Sequence, residues 1–197
     1  MEILSQTMDP ATGWQGKSAL RTWLVAFALL FSGALDVSAQ SVSKEYQVKA
    51  AFLYNFSQFI EWPAGALPGS QPLVIGVLGE DPFGGYLDEL VRGERVGNHP
   101  LVVRRFRQVG EIRTCHILFV SQSEANRLDQ IVQYLKGRNI LTVGDIENFA
   151  LRGGMIRFVT ENNKIRFRIN LEAARGANLT ISSKLLRAAE IVSSGRD

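Results

Sequence analysis

Residues 116–143, HILFVSQSEANRLDQIVQYLKGRNILTV, settle the fold class. His116 to Val120 is apolar almost throughout and of strand length, the pattern of a strand covered on both faces. Ser121-Gln122-Ser123-Glu124 then has the form of a capping box, and Leu128, Ile131, Val132 and Leu135 recur at the spacing of one helical face. Lys136-Gly137 closes this helix, and Ile140-Leu141-Thr142-Val143 is a second strand. Strand, helix and strand of these lengths make a βαβ unit, which requires parallel pairing and a right-handed crossover.

The same grammar extends on either side. Upstream, LVIGVL at residues 73–78 is another doubly covered strand, and Asp81-Pro82 sets an N-cap before a proline at the first position of a short helix through Tyr86, Leu87 and Leu90. Gly93 and Gly97-Asn98 break the chain ahead of a strand over residues 101–106. Earlier still, VKAAFLYNFSQFIEWP at residues 48–63 predicts an amphipathic helix stopped by Pro63. Val48, Phe52, Phe56, Phe59 and Ile60 form its apolar face, and Lys49, Gln58 and Glu61 its polar one.

Downstream, Asp145 is placed to cap a helical turn through Phe149, and Gly153-Gly154 opens a hairpin that turns at Glu161-Asn162-Asn163. In this hairpin Ile156, Phe158, Ile165, Phe167 and Ile169 point one way and Arg157, Arg166 and Arg168 the other. A last helix is expected over residues 182–192. The sum is an α/β fold: one three-layer domain, with a mixed, mostly parallel sheet flanked by helices and a C-terminal antiparallel hairpin.

Of 197 residues, 46% are hydrophobic and 21% charged, an ordinary globular composition. Residues 1–39 stand apart. Lys17 and Arg21 precede an apolar run from Trp23 to Leu35, and Val37-Ser38-Ala39 offers the small residues that a signal peptidase reads. A cleavable signal peptide over 1–39 and a domain over 40–197 are expected, which sends the mature protein to the periplasm. The run is short for a permanent span, and no cysteine follows it for lipid attachment. The single cysteine, Cys115, has no internal disulfide partner. The net charge of +3 comes without the clustered basic runs and interleaved aromatics of a nucleic-acid surface.

Little here suggests catalysis. Cys115 and His116 are neighbours on a strand and face opposite ways, so they make neither a nucleophile–base pair nor two ligands of one metal, and His99 stands apart. GEDPFGG at residues 79–85 lacks the Lys-Ser/Thr ending of a phosphate loop. We therefore expect no enzyme, metal or cofactor. Asp81, Ser121 and Asp145 fall at the carboxyl ends of predicted strands, where open α/β sheets bind ligands, although capping accounts for each. Arg157, Arg166 and Arg168 repel one another on one side of the hairpin and call for carboxylates, either internal or on another protein. They are the candidate partner-binding residues.

Three separated blocks add a resemblance. The helix reading V-K-A-x-F-x-Y-N-F-x-x-F-x-x-W-P, LTVGDIENFALRGGMIRF at 141–158 and KIRFRINLEAARGANLTISSKLLRAA at 164–189 together resemble the YfiR/HmsC-like family of small periplasmic proteins. The resemblance implies a regulator that holds the periplasmic domain of an inner-membrane diguanylate cyclase, or a sensor kinase, inactive. An outer-membrane-associated lipoprotein would draw it away, and cyclic-di-GMP and biofilm output would be the quantities controlled. Some relatives carry cysteine pairs, and a lone Cys115 departs from them. A homodimer is compatible with this role. The alternative is a periplasmic small-molecule binding protein with its pocket near Asp81, Ser121 and Asp145.

Overall fold

The structure, a computed structural model, describes residues 42–195; the expected signal peptide lies outside them. In chain order the elements are α1 (Lys44–Phe59), β1 (Ile60–Glu61), β2 (Leu73–Leu78), α2 (Gly85–Val91), β3 (Arg95–Val96), β4 (His99–Phe106), β5 (Ile117–Val120), α3 (Leu128–Leu135), β6 (Leu141–Gly144), β7 (Ile156–Glu161), β8 (Lys164–Asn170), α4 (Leu171–Gly176), β9 (Thr180–Ile181), α5 (Ser183–Leu186) and β10 (Glu190–Val192).

Eight strands form one sheet in the order β10-β8-β7-β6-β5-β2-β4-β3, and β1 pairs with β9 apart from it. Strands β4, β2, β5, β6 and β7 are mutually parallel, while β8 runs antiparallel to β7, β10 parallel to β8, and β3 antiparallel to β4. In chain order the parallel set reads 2-1-3-4-5, a doubly wound arrangement whose direction reverses between β2 and β5. The expected α/β architecture and the βαβ unit β5–α3–β6 are both present.

Each face of the sheet carries its own core. On one face Leu53 and Phe56 of α1 and Phe83 and Leu87 near α2 meet Ile75, Val77, Phe119 and Phe158. The Phe56 ring lies 5.8 Å from Phe158 and 5.8 Å from Phe167, the latter edge-on, which are favourable aromatic geometries. On the other face Leu128, Ile131 and Leu135 of α3, with Ile146 and Phe149, cover Leu118 and Val120. Helix α3 is short, and Arg157, Val159, Arg166 and Arg168 on this second face remain half-buried or exposed.

Four local expectations are corrected. Helix α1 ends at Phe59, because Ile60 and Glu61 are extended and pair with Ile181 and Thr180. On α1, Val48 is 44% exposed and Lys49 only 3%, the reverse of their assigned faces. The capping box does not form: Ser121 N–H already donates to Leu78 O at 3.0 Å, so Glu124 has no amide to return to and instead packs, buried, over Gly79 while accepting from Arg127. A 3-10 turn (Gln122–Arg127) therefore precedes α3. The long last helix is also absent. After α5 the chain becomes β10, with Glu190 opposite Arg168 and Val192 opposite Asn170, so hydrogen bonding to the β8 edge outweighs a weak helical pattern.

Candidate functional site

The β7–β8 hairpin turns through Asn162 and Asn163, both at positive φ (50° and 59°), a conformation that asparagine tolerates better than most residues and that matches the twist of a tight hairpin. This turn sets a register in which Arg157 lies opposite Arg168 and Val159 opposite Arg166. With a period of two, Ile156, Phe158, Phe167 and Ile169 are buried and the arginines stand on the opposite face, as expected.

The carboxylates available to these arginines are unevenly shared. Arg168 Nε donates to Glu190 Oε2 at 2.8 Å and Arg168 is 3.7 Å from Glu161, while Arg166 is 3.6 Å from Glu161. Arg157 Nε is buried and has no partner among the described residues. Burial, and then the neighbouring Arg168, push the Arg157 guanidinium below its usual pKa.

Arg157, Arg168 and Glu190 line a hollow of about 440 Å³ on the sheet face across β7, β8 and β10, with Asn148, Leu151 and Ser193 around it. A second hollow of about 310 Å³ adjoins, lined by Glu161, Arg166, Arg168, Arg187 and Glu190. Arg187 and Glu190 thus join the candidate surface. Sequence reading missed both because it kept them in a helix, and the signal that finds them is the β-branched pair Ile191-Val192 closing a short extended segment.

The strand-end residues are engaged differently. Asp81 accepts from Phe83 N at 2.7 Å and from Arg105 Nε at 2.8 Å, so it caps a turn and anchors β4 rather than opening α2, whose N-cap is Gly84. Ser121 is 5% exposed, with no capping bond from its side chain. Asp145 caps nothing: its Oδ2 accepts from Lys49 Nζ at 2.6 Å and Tyr46 OH at 3.0 Å, while Oδ1 is buried without a partner among the described residues. Burial beside this carboxylate raises the Tyr46 pKa, so its hydroxyl stays protonated and donating.

A sheet with this strand order has its ligand crevice at the carboxyl ends of β2 and β5. Here Ser123 Oγ accepts from Glu80 N at 2.9 Å, and a Cβ on Gly79 (φ 89°) would stand 2.4 Å from that oxygen. The structure brings Asp81, Ser121 and Asp145 to one end of the sheet, but the space between β2 and β5 there is filled by its own side chains.

His116 is buried with both ring nitrogens used: Nδ1 accepts from Val74 N at 3.0 Å and Nε2 lies 3.2 Å from Ala66 O. Cys115 is buried, and burial pushes its thiol up to about 12. Among the described residues no cluster of three or more His, Cys, Asp or Glu is placed to hold a metal. No helix among them is long and apolar enough to cross a membrane.

A model of the family described as YfiR/HmsC-like matches residues 46–190. Comparison with curated proteins gives no match.

Proposed function

The chain belongs to the YfiR/HmsC-like family, and from that premise we propose that it docks through the arginine face of its hairpin onto an acidic surface of a membrane sensor's periplasmic domain and holds that sensor inactive. The family consists of periplasmic regulators that act by protein–protein contact rather than by catalysis. The sensor is a diguanylate cyclase or a sensor kinase of the inner membrane, and release by an outer-membrane-associated lipoprotein raises cyclic-di-GMP and biofilm output.

The observation that carries this reading is the imbalance on the second sheet face. Arg157, Arg166, Arg168 and Arg187 share it with Glu161 and Glu190, and the first three arginines stand on β7 and β8, whose other side is locked into the core. A rigid patch with an excess of one sign steers association and sets specificity, and its exposed internal ion pairs cost about 0–1 kcal/mol each to exchange for external ones. The reading of a small-molecule binder near Asp81, Ser121 and Asp145 has the packed strand ends against it.

The test is the double reversal Arg166→Glu/Arg168→Glu, with melting temperature and affinity for the periplasmic domain of the proposed membrane cyclase or kinase partner measured on the same samples. Reversal sets like charges against Glu161 and Glu190 in place of exposed ion pairs, so the fold should be retained with a loss of about 1–2 kcal/mol. Affinity should fall at least tenfold, and the wild-type interaction should weaken with salt in a way that the reversed variant no longer shows. A well-folded variant with unchanged affinity would overturn the proposal.

A further inference from the structure

The 440 Å³ hollow is unusual in what its two arginines hold. Arg157 and Arg168 are directly opposed across antiparallel strands, and burial and the Arg168 charge outweigh the weaker pull of Glu147 and Asp145 on the Arg157 guanidinium. Arg168 is satisfied by Glu190, whose side chain is 60% exposed and sits on a three-residue edge strand. Arg157 Nε points from a buried position with nothing described to accept its hydrogen. A buried donor of this kind carries a desolvation penalty that an incoming acceptor removes.

We infer that this hollow seats an acidic side chain of the protein partner, and that Glu190 is its internal stand-in. In the free protein Glu190 occupies Arg168; on docking, the partner's carboxylate takes Arg168 from Glu190 and gives Arg157 the acceptor it lacks. The exchange forms two charge-assisted hydrogen bonds and breaks one exposed pair, so it favours the bound state. A protein surface fits better than a free small anion because the basic field continues into the adjoining hollow, which Arg166 and Arg187 line, and so offers contacts to more than one acidic side chain. The inference rests on the regulatory reading above and names the chemistry of the contact.

The test uses the full mature chain, 15N-labelled, and a fluorescein-tagged hexaglutamate peptide, with hexaglutamine and free succinate as separate arms. Hexaglutamate should bind in a salt-sensitive manner and shift the Arg157 Nε–H resonance, whereas hexaglutamine should not. Glu190→Gln, at an exposed position, should tighten peptide binding about two- to fivefold by removing the competitor, and Arg157→Gln should weaken it about tenfold. Should Arg157→Gln fail to fold, the wild-type Arg157 resonance and Glu190→Gln still decide.

An unmoved Arg157 resonance, or a Glu190→Gln variant that binds no better than wild type, would overturn the inference. Succinate displacing the peptide at equal carboxylate concentration would overturn it too, by assigning the hollow to a free small acid. The two proposals fail differently. Capture of the membrane domain that ignores both Glu190→Gln and Arg157→Gln leaves the regulator standing and removes this contact; peptide binding as expected without capture of the membrane domain leaves the carboxylate seat and removes the regulator.

Discussion

Lys49 is 3% exposed, with its ammonium 2.6 Å from Asp145 and 2.7 Å from Glu45 and lying over the Tyr46 ring at 4.4 Å. It ties the first helix to the carboxyl end of β6. Removing one member of a buried pair leaves the other charged and unpaired, so Lys49→Ala should cost about 3–5 kcal/mol in urea unfolding, and Lys49→Met/Asp145→Leu should recover most of that loss. A Lys49→Ala variant of wild-type stability would mean that water reaches Asp145. His116 supplies a pH dependence. Burial holds its ring below the usual histidine pKa, with His99 adding a smaller push in the same direction, so the unfolded chain takes up the proton first. The stability of the neutral ring is therefore complete above about pH 6.5 and declines as pH falls below it. Protonation also abolishes the acceptor that holds Val74 N–H. His116→Asn should flatten the stability profile between pH 7 and 5 in thermal melts; a profile parallel to wild type would show that other groups carry the acid sensitivity.

The turn between β6 and β7 is built on a glycine that a side chain replaces only by displacing the Phe149 ring. A Cβ on Gly154 would stand 2.2 Å from the Phe149 ring, which is itself fully buried and whose carbonyl takes the Gly154 N–H at 2.9 Å. Gly154→Ala should destabilise by about 1–3 kcal/mol through overpacking, read as a lower melting temperature, with the hairpin beyond it retained. At this scale the sequence was legible where one period dominated. The apolar runs of β2, β5 and β6 and the strict alternation of β7 and β8 admit one reading each. It was not legible where two readings competed on local grounds. Residues 60–61 and 190–192 satisfy helical spacing, but pairing with β9 and β8, distant in sequence, made them strands. The exchange of Val48 and Lys49 on α1 has the same origin, since the helix rotated to deliver Lys49 to Asp145, 96 residues away.

For the whole molecule, parallel pairing was implied by the βαβ unit, but the placement of β4 beside β2 on the far side from β5 depends on contacts that no local pattern encodes. The arginine trio could be read from alternation, whereas Glu190 and Arg187 entered the site only when β10 closed the sheet edge. The two candidate regions differ in how full they are. The carboxyl ends of β2 and β5, the customary ligand crevice, are filled by Ser123 and Glu124, while the half of the second face that α3 does not cover carries the charge. The long aliphatic stems of Arg157 and Arg168 also shield the sheet beneath them, so replacements that keep the stem separate charge from packing better than alanine does.

The alternation of the hairpin also separates two kinds of inheritance. Ile156, Phe158, Phe167 and Ile169 of β7 and β8 are committed to the core and cannot change freely, while exposed positions on the other face such as Arg166 can exchange sign at modest cost to folding. On the proposed docking, a duplicated gene could therefore drift to a private partner by swapping arginines here for acids there, matched by the reverse swap on that partner. One scaffold could in this way run several insulated signalling channels in the same compartment, told apart by the order of charges along two strands.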